Sequence, residues 1–234
     1  LMPVAYAYPA DMRATRDLMR RRLLFVRQRG SLLAHVQITH HQYNVDPPGK
    51  RITYRSNREG LGEGFEDSSV RHSIAADLAL ADHYEVTIGE LELAVLRQAR
   101  IHDPNALALL TSVPGIGKIL ALTILYEIHD ISRFPSVRDF ASYSRLVKCE
   151  RSSAGKSLGS GGNKIGNAYL KWAFSEAAVL FIAKSEQGRT VLTRLERKYG
   201  KPKALSVLAH KLGRAVYYML ARKQAFDPQR FATS

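Results

Sequence analysis

A single cysteine, Cys149, in 234 residues excludes an intramolecular disulfide and any cysteine-rich zinc module. No apolar run approaches the roughly 18 residues of a membrane span, and the opening LMPVAYAYPADMR lacks the basic-then-apolar order of a secretory signal. The phosphate-binding pattern GxxxxGK[ST] is also missing: Gly155-Lys156-Ser157 supplies its last three residues, but position 150 is Glu, which sets aside a nucleoside triphosphatase. These absences predict a reducing, cytoplasmic setting with no membrane partner. What is present, 45% hydrophobic and 24% charged residues, is the composition of a folded chain, long enough for one large domain or two modest ones.

Acidic residues are scarce, and unevenly so. Against 35 Lys and Arg stand 21 Asp and Glu, a net charge of +14. Residues 1–129 hold 15 basic and 14 acidic side chains, whereas residues 130–234 hold 20 and 7. The distal half is therefore the half expected to face a polyanion.

Helical periodicity runs from Pro9 to about Gln42, with Met12, Leu18, Met19, Leu23, Val26, Leu33 and Val36 on one face. The opposite face carries Arg13, Arg16, Arg20, Arg21, Arg22, Arg27 and Arg29, a stripe that either tracks phosphates or pairs with acidic neighbours. Residues 44–65, with Pro47, Pro48 and four glycines, read as a connector and a point for a domain boundary. Helical spacing returns from Ser69 to Arg100, so the two helices form an antiparallel pair or a coiled-coil arm that could carry dimerisation.

Beyond Asp103-Pro104, an apolar helix end, the turn Val113-Pro114-Gly115-Ile116-Gly117 and a helix opening at Lys118 make a helix-hairpin-helix pattern. Glycines let such a turn approach a ligand closely, and the first N–H groups of the next helix have no intrahelical acceptor, so they face an arriving phosphate. The bland alternative is a tight corner between two helices. Pro135 opens a further short helix, Ser136 to Leu146. Residues 145–171 then combine four serines, five glycines and six basic side chains, the makings of a flexible linker or of a phosphate-holding loop. A mostly apolar helix from Lys164 to Lys184 reads as central, with Glu176 a paired carboxylate rather than a general base. The last long helix, Lys203 to Arg222, sets Leu205, Leu208, Leu212, Val216 and Met219 against a stripe of Lys203, His210, Arg214 and Tyr217.

Taken in order, Val113 to Gly117, Arg133-Phe134-Pro135 leading to Phe140-Ala141-Ser142-Tyr143, Arg145-Leu146-Val147, Ser153-Ala154-Gly155-Lys156, Lys164-Ile165-Gly166-Asn167 and Leu170 to Phe174 resemble the C-terminal module of transposases of the insertion sequence 110/116/902 family. The resemblance implies a two-part catalyst: an N-terminal RuvC-like domain with a DEDD metal site, a helical link, and a helical module bearing a serine nucleophile. It places Tyr8-Pro9 just downstream of the last acidic ligand, so this chain is expected to be N-terminally incomplete. No metal ligand carries over, no cofactor is expected on the chain itself, and Mg2+ is implied only for the full-length family.

By the same resemblance the nucleophile falls on Ser153, with Ser152 the alternative because the family's Ser-Gly is here Ser-Ala. The expected fold is all-α: residues 1–103 as the end of a RuvC-like region plus a helical or coiled-coil linker, and residues 104–234 as a module with the helix-hairpin-helix and the Gly/Ser-rich loop. Phosphate contacts are expected from Gly115, Gly117, Lys118, Arg145, Lys148, Arg151, Lys156, Lys164, Asn167, Lys171 and Arg214. The expected partners are DNA, a structured guide RNA and a second copy of the chain through the helical region. The expected function is DNA transposition with serine attack on a phosphodiester. The rival readings are a non-catalytic helix-hairpin-helix DNA-binding protein and an RNA-binding accessory factor.

Overall fold

The computed structural model describes residues 6–147, 149–153, 156–161 and 166–233, the side chains between 149 and 161 lying outside that description. Among the described residues the fold is all-α, save for one two-stranded ribbon. The chain divides into two compact units, one of Asp17–Val95 and one formed by the residues up to Arg16 together with those from Leu96 onward.

The unit of Asp17–Val95 is a helical hairpin. Its arms belong to α1 (Ala10–Gln42) and α2 (Ser68–His102). Arg22 pairs with Glu92 at 2.6 Å, Arg29 with Glu85 at 3.6 Å and His35 with Asp77 at 2.5 Å, the falling partner numbers of an antiparallel arrangement. Of the two readings of the arginine stripe, pairing with acidic neighbours therefore holds for Arg22 and Arg29. The connector expected at a domain boundary instead packs inside this unit. Its few apolar side chains suffice: Ile52 and Phe65 are buried against Leu33, Val36, Val70 and Ile74. Arg58, only 5% exposed, ties the connector down by donating from Nε to the Ile52 carbonyl (2.8 Å) and from Nη2 to the Thr53 carbonyl (3.0 Å). Asp82 and Glu85 of α2 neutralise it, as a buried guanidinium requires.

The other unit winds α3 (Pro104–Thr111), α4 (Lys118–Ile128), α5 (Val137–Tyr143), the ribbon β1 (Cys149–Ser153) and β2 (Lys156–Gly161), then α6 (Ala168–Lys184), α7 (Glu186–Tyr199), α8 (Lys201–Arg222) and α9 (Pro228–Thr233). Helix starts follow their capping residues. Asp103 accepts from the Ala106 N–H (2.8 Å) with Pro104 in the first turn, and the Ser136 hydroxyl accepts from the Asp139 N–H (3.3 Å) while donating to its carboxylate (2.7 Å). Helix α4 is the innermost element, every side chain from Leu120 to Ile128 being buried. It packs on α6, which also contacts α7 and α8. The end of the chain closes the far side of this core, Phe226 and Phe231 meeting the Phe181 ring at 5.8 and 5.2 Å. No helix among the described residues is long and apolar enough to cross a membrane.

Candidate nucleic-acid interface

The Gly/Ser-rich stretch read as a loop is in part a ribbon. Strands β1 and β2 run antiparallel, with Cys149 opposite Gly161, Glu150 opposite Ser160, Ser152 opposite Ser157 and Ser153 opposite Lys156, and with a bulge between Glu150 and Ser152. Ser153 is thus the last residue of β1, and it pairs with the first residue of β2. A strand can form here without apolar alternation because the ladder uses backbone groups alone, and a bulge absorbs the mismatch in register. The backbone of Arg151, Ser152, Ser153 and Lys156 lies in this ribbon; Lys148 and Lys164 lie outside the described residues.

The start of α6 is held from inside the protein. Gly166 has φ +93°, and a Cβ there would come within 2.6 Å of the Tyr143 carbonyl. The next residue, Asn167, donates its backbone N–H to that carbonyl at 2.6 Å. Its side-chain oxygen caps α6 by accepting from the Tyr169 and Leu170 N–H groups (2.9 and 3.0 Å), and its Nδ2 donates to Glu127 Oε2 at 2.6 Å. Asn167 is 7% and Glu127 4% exposed. The asparagine expected at a phosphate is therefore buried and joins α4, α5 and α6. Arg145, at φ 53°, is half-buried beside Gly166, its Cγ 3.3 Å from where a Gly166 Cβ would lie.

The turn between α3 and α4 separates its two glycines by task. Gly115, at φ +93°, is buried, and a Cβ there would sit 2.5 Å from the Phe181 nitrogen and 2.8 Å from the Leu180 carbonyl carbon. Its close approach is to the backbone of α6. Gly117 and Lys118 are exposed; Gly117 precedes α4 without a side-chain cap, and nothing lies within 4 Å of its missing Cβ. Lys171 on α6 and Arg214 on α8 are exposed as well. Around Arg214 the field is positive: burial and the Arg214 charge lower His210, and burial with Arg194 and Arg214 lowers Lys211. Cations that depress one another in this way gain when a phosphate arrives.

A second feature was not singled out from the sequence. Tyr6, Tyr8, Arg16, Glu127, Arg133 and Tyr143, with Phe134, line a cleft of about 300 Å³. The Arg133 guanidinium lies over three rings, 4.2 Å from that of Tyr6, 4.6 Å from Phe134 and 4.7 Å from Tyr143, and Arg16 lies 4.1 Å over Tyr8. The Tyr8 hydroxyl donates to the Tyr126 carbonyl at 2.8 Å. Burial raises the Tyr8 phenol well above its ordinary range, with Arg16 opposing, and pushes Tyr126 up to about 12. A sequence signal that could have flagged the cleft is Glu127, the sole carboxylate in the mostly apolar helix KILALTILYEI. Among the described residues no three His, Cys, Asp or Glu side chains converge on a metal position, so the Mg2+ implied for the family finds no fitting ligand set here.

Comparison with known proteins finds similarity to transposases of insertion sequences. The model of the family described as Transposase IS116/IS110/IS902 matches residues 107–192, from α3 through the ribbon and into α7. The resemblance carried by the motif order is borne out over that stretch. The chain is 30% identical over 156 residues to the transposase for insertion sequence element IS1328 of Yersinia enterocolitica, an overlap of 63% of this chain and 46% of that protein. It is 26% identical over 119 residues to the transposase for insertion sequence element IS1111A of Coxiella burnetii (strain RSA 493 / Nine Mile phase I), covering 49% of this chain and 33% of that protein. The chain thus spans between a third and a half of the length of these relatives.

Proposed function

We propose that this chain acts in DNA transposition of an insertion sequence, its distal unit gripping DNA and presenting Ser153 to a phosphodiester. The observation that carries the reading is that the family match at residues 107–192 encloses the ribbon in which Ser153 is the last residue of β1. In the step envisaged, the Ser153 Oγ attacks phosphorus as its proton passes to a base, and one P–O bond to a sugar breaks. The departing sugar oxygen takes up a proton, leaving a phosphoserine link whose retained bond energy lets a second sugar hydroxyl reverse the reaction. Ser152 is the alternative nucleophile. Arg151, at the bulge of β1, and Lys156, paired with Ser153, are the candidates to stabilise charge on the phosphorus.

Gripping falls to Gly117 and Lys118 at the start of α4, with Lys171 and Arg214 on α6 and α8, all exposed. The excess of 20 basic over 7 acidic side chains in residues 130–234 supports DNA as the partner. The test is a nicked suicide duplex that traps a covalent protein–DNA adduct. The wild type is expected to form it, Ser153→Ala to lose it while still binding the duplex, and Ser152→Ala to keep it. Binding by the wild type without any adduct would replace this reading with a non-catalytic DNA-binding module.

A further inference from the structure

We infer that the cleft lined by Tyr6, Arg16, Glu127, Arg133 and Tyr143 receives a single unstacked nucleobase. Two motifs that the proposed chemistry leaves unused, Tyr8-Pro9 and Arg133-Phe134-Pro135, meet there with the last residue of Phe140-Ala141-Ser142-Tyr143. The cleft holds the three elements that a base needs and that other ligands do not need together. Aromatic rings supply flat faces for stacking. Arg16 and Arg133 supply in-plane N–H donors for ring nitrogens and carbonyls, and Glu127 supplies a carboxylate of the kind that accepts from an exocyclic amino group.

Arg133 bears the sharper mark. Three rings fix its plane, yet its Nε is buried and no described residue accepts from it. A buried donor without an acceptor is costly, and one held rigid against aromatic faces is a position prepared for an acceptor from outside. A bare phosphate is the poorer occupant, since it would meet the Glu127 carboxylate. An aliphatic ligand is poorer still, since it would leave the Arg133 Nε donor without an acceptor. A volume of about 300 Å³ admits one base and little more. Through Asn167, the Glu127 floor of the cleft is bonded to the cap of α6.

The inference rests on nucleic-acid binding by this unit and not on Ser153. Its test compares a DNA duplex carrying one extrahelical 5-iodouracil with the fully paired duplex of equal length, and with the RNA counterpart of each, at one salt concentration. The bulged form of DNA or of RNA, whichever is the source, is expected to bind about tenfold more tightly than its paired form, the worth of one stacked base. Irradiation is expected to crosslink the iodouracil to peptides carrying Tyr6, Phe134 or Tyr143. Tyr6 is 46% exposed, so Tyr6→Ala leaves the core intact; it is expected to remove most of that preference with paired-duplex affinity unchanged, and Arg133→Lys to do the same. Tight binding of paired duplexes with no preference for the bulge, or with crosslinks mapping elsewhere, overturns the cleft assignment alone. Failure to bind any of the four overturns the DNA reading as well.

Discussion

Asn167→Asp removes the side-chain donor that faces Glu127 at 2.6 Å and, more weakly, the Tyr143 hydroxyl at 3.4 Å. The new carboxylate still accepts from the Tyr169 and Leu170 N–H groups, so the cap on α6 survives, but the donor to Glu127 is gone and two carboxylates meet across 2.6 Å. Both sites are more than nine-tenths buried. The lost charge-assisted bond is worth about 1.5–3 kcal/mol, and breaking a buried polar pair from one side costs about 3–5 kcal/mol. A loss of about 3–5 kcal/mol at pH 7 is therefore expected in urea unfolding followed by circular dichroism.

The pH dependence has a definite sign. Two touching carboxylates cannot both remain ionised, so one holds a proton with a folded pKa above its unfolded value of about 4. The penalty therefore shrinks as pH falls from 7 toward that unfolded value and is fully present above the raised folded value. The swap Glu127→Gln with Asn167→Asp restores a donor facing an acceptor, and is expected to recover more than half of the loss. A single variant within about 1 kcal/mol of wild type, or a swap no better than Asn167→Asp alone, would refute the account of the clasp.

Two further outcomes follow from the same geometry. Gly115→Ala places a Cβ against the α6 backbone at a φ that L residues avoid, and is expected to cost about 3–5 kcal/mol, where Gly117→Ala, facing open space at φ −79°, costs under about 1 kcal/mol in thermal melting. Alkaline titration of tyrosine absorbance should show two phenols, Tyr8 and Tyr126, still protonated above pH 10. Because their folded pKa values exceed the unfolded value of about 10, the stability they contribute is complete below pH 10. It is lost as pH climbs toward about 12, the value for Tyr126, so the two should ionise together with unfolding.

The long helices were legible because periodicity and caps agreed. Pro9 and the apolar spacing placed α1, Asp103-Pro104 marked the start of α3, and Ser136 marked that of α5. The motif order in residues 113–174 was legible as a family resemblance, though any one of its pieces is short. The ribbon was not, because a strand of Ser, Gly and Lys carries no alternation for a reader to count. The arginine stripe was ambiguous in one dimension, since Glu85 and Glu92 stand 56 and 70 residues from Arg29 and Arg22, with which they pair. The connector misled for a related reason: its Pro and Gly content reads as a joint, whereas Ile52, Arg58 and Phe65 anchor it.

By itself the amino-acid order determined that the chain is helical, where its cations concentrate, and which family its middle resembles, since each of these is a property of neighbours along the backbone. Only the tertiary structure decided what two similar-looking glycines do, sending Gly115 into α6 and leaving Gly117 at the surface. It alone turned Asn167 from a surface candidate into a buried clasp on Glu127, and gathered residues 6, 16, 127, 133 and 143 around one cleft. The reason is the same in each case. Burial and polar pairing depend on which distant segments share a volume, and that is set when the helices pack rather than when they form.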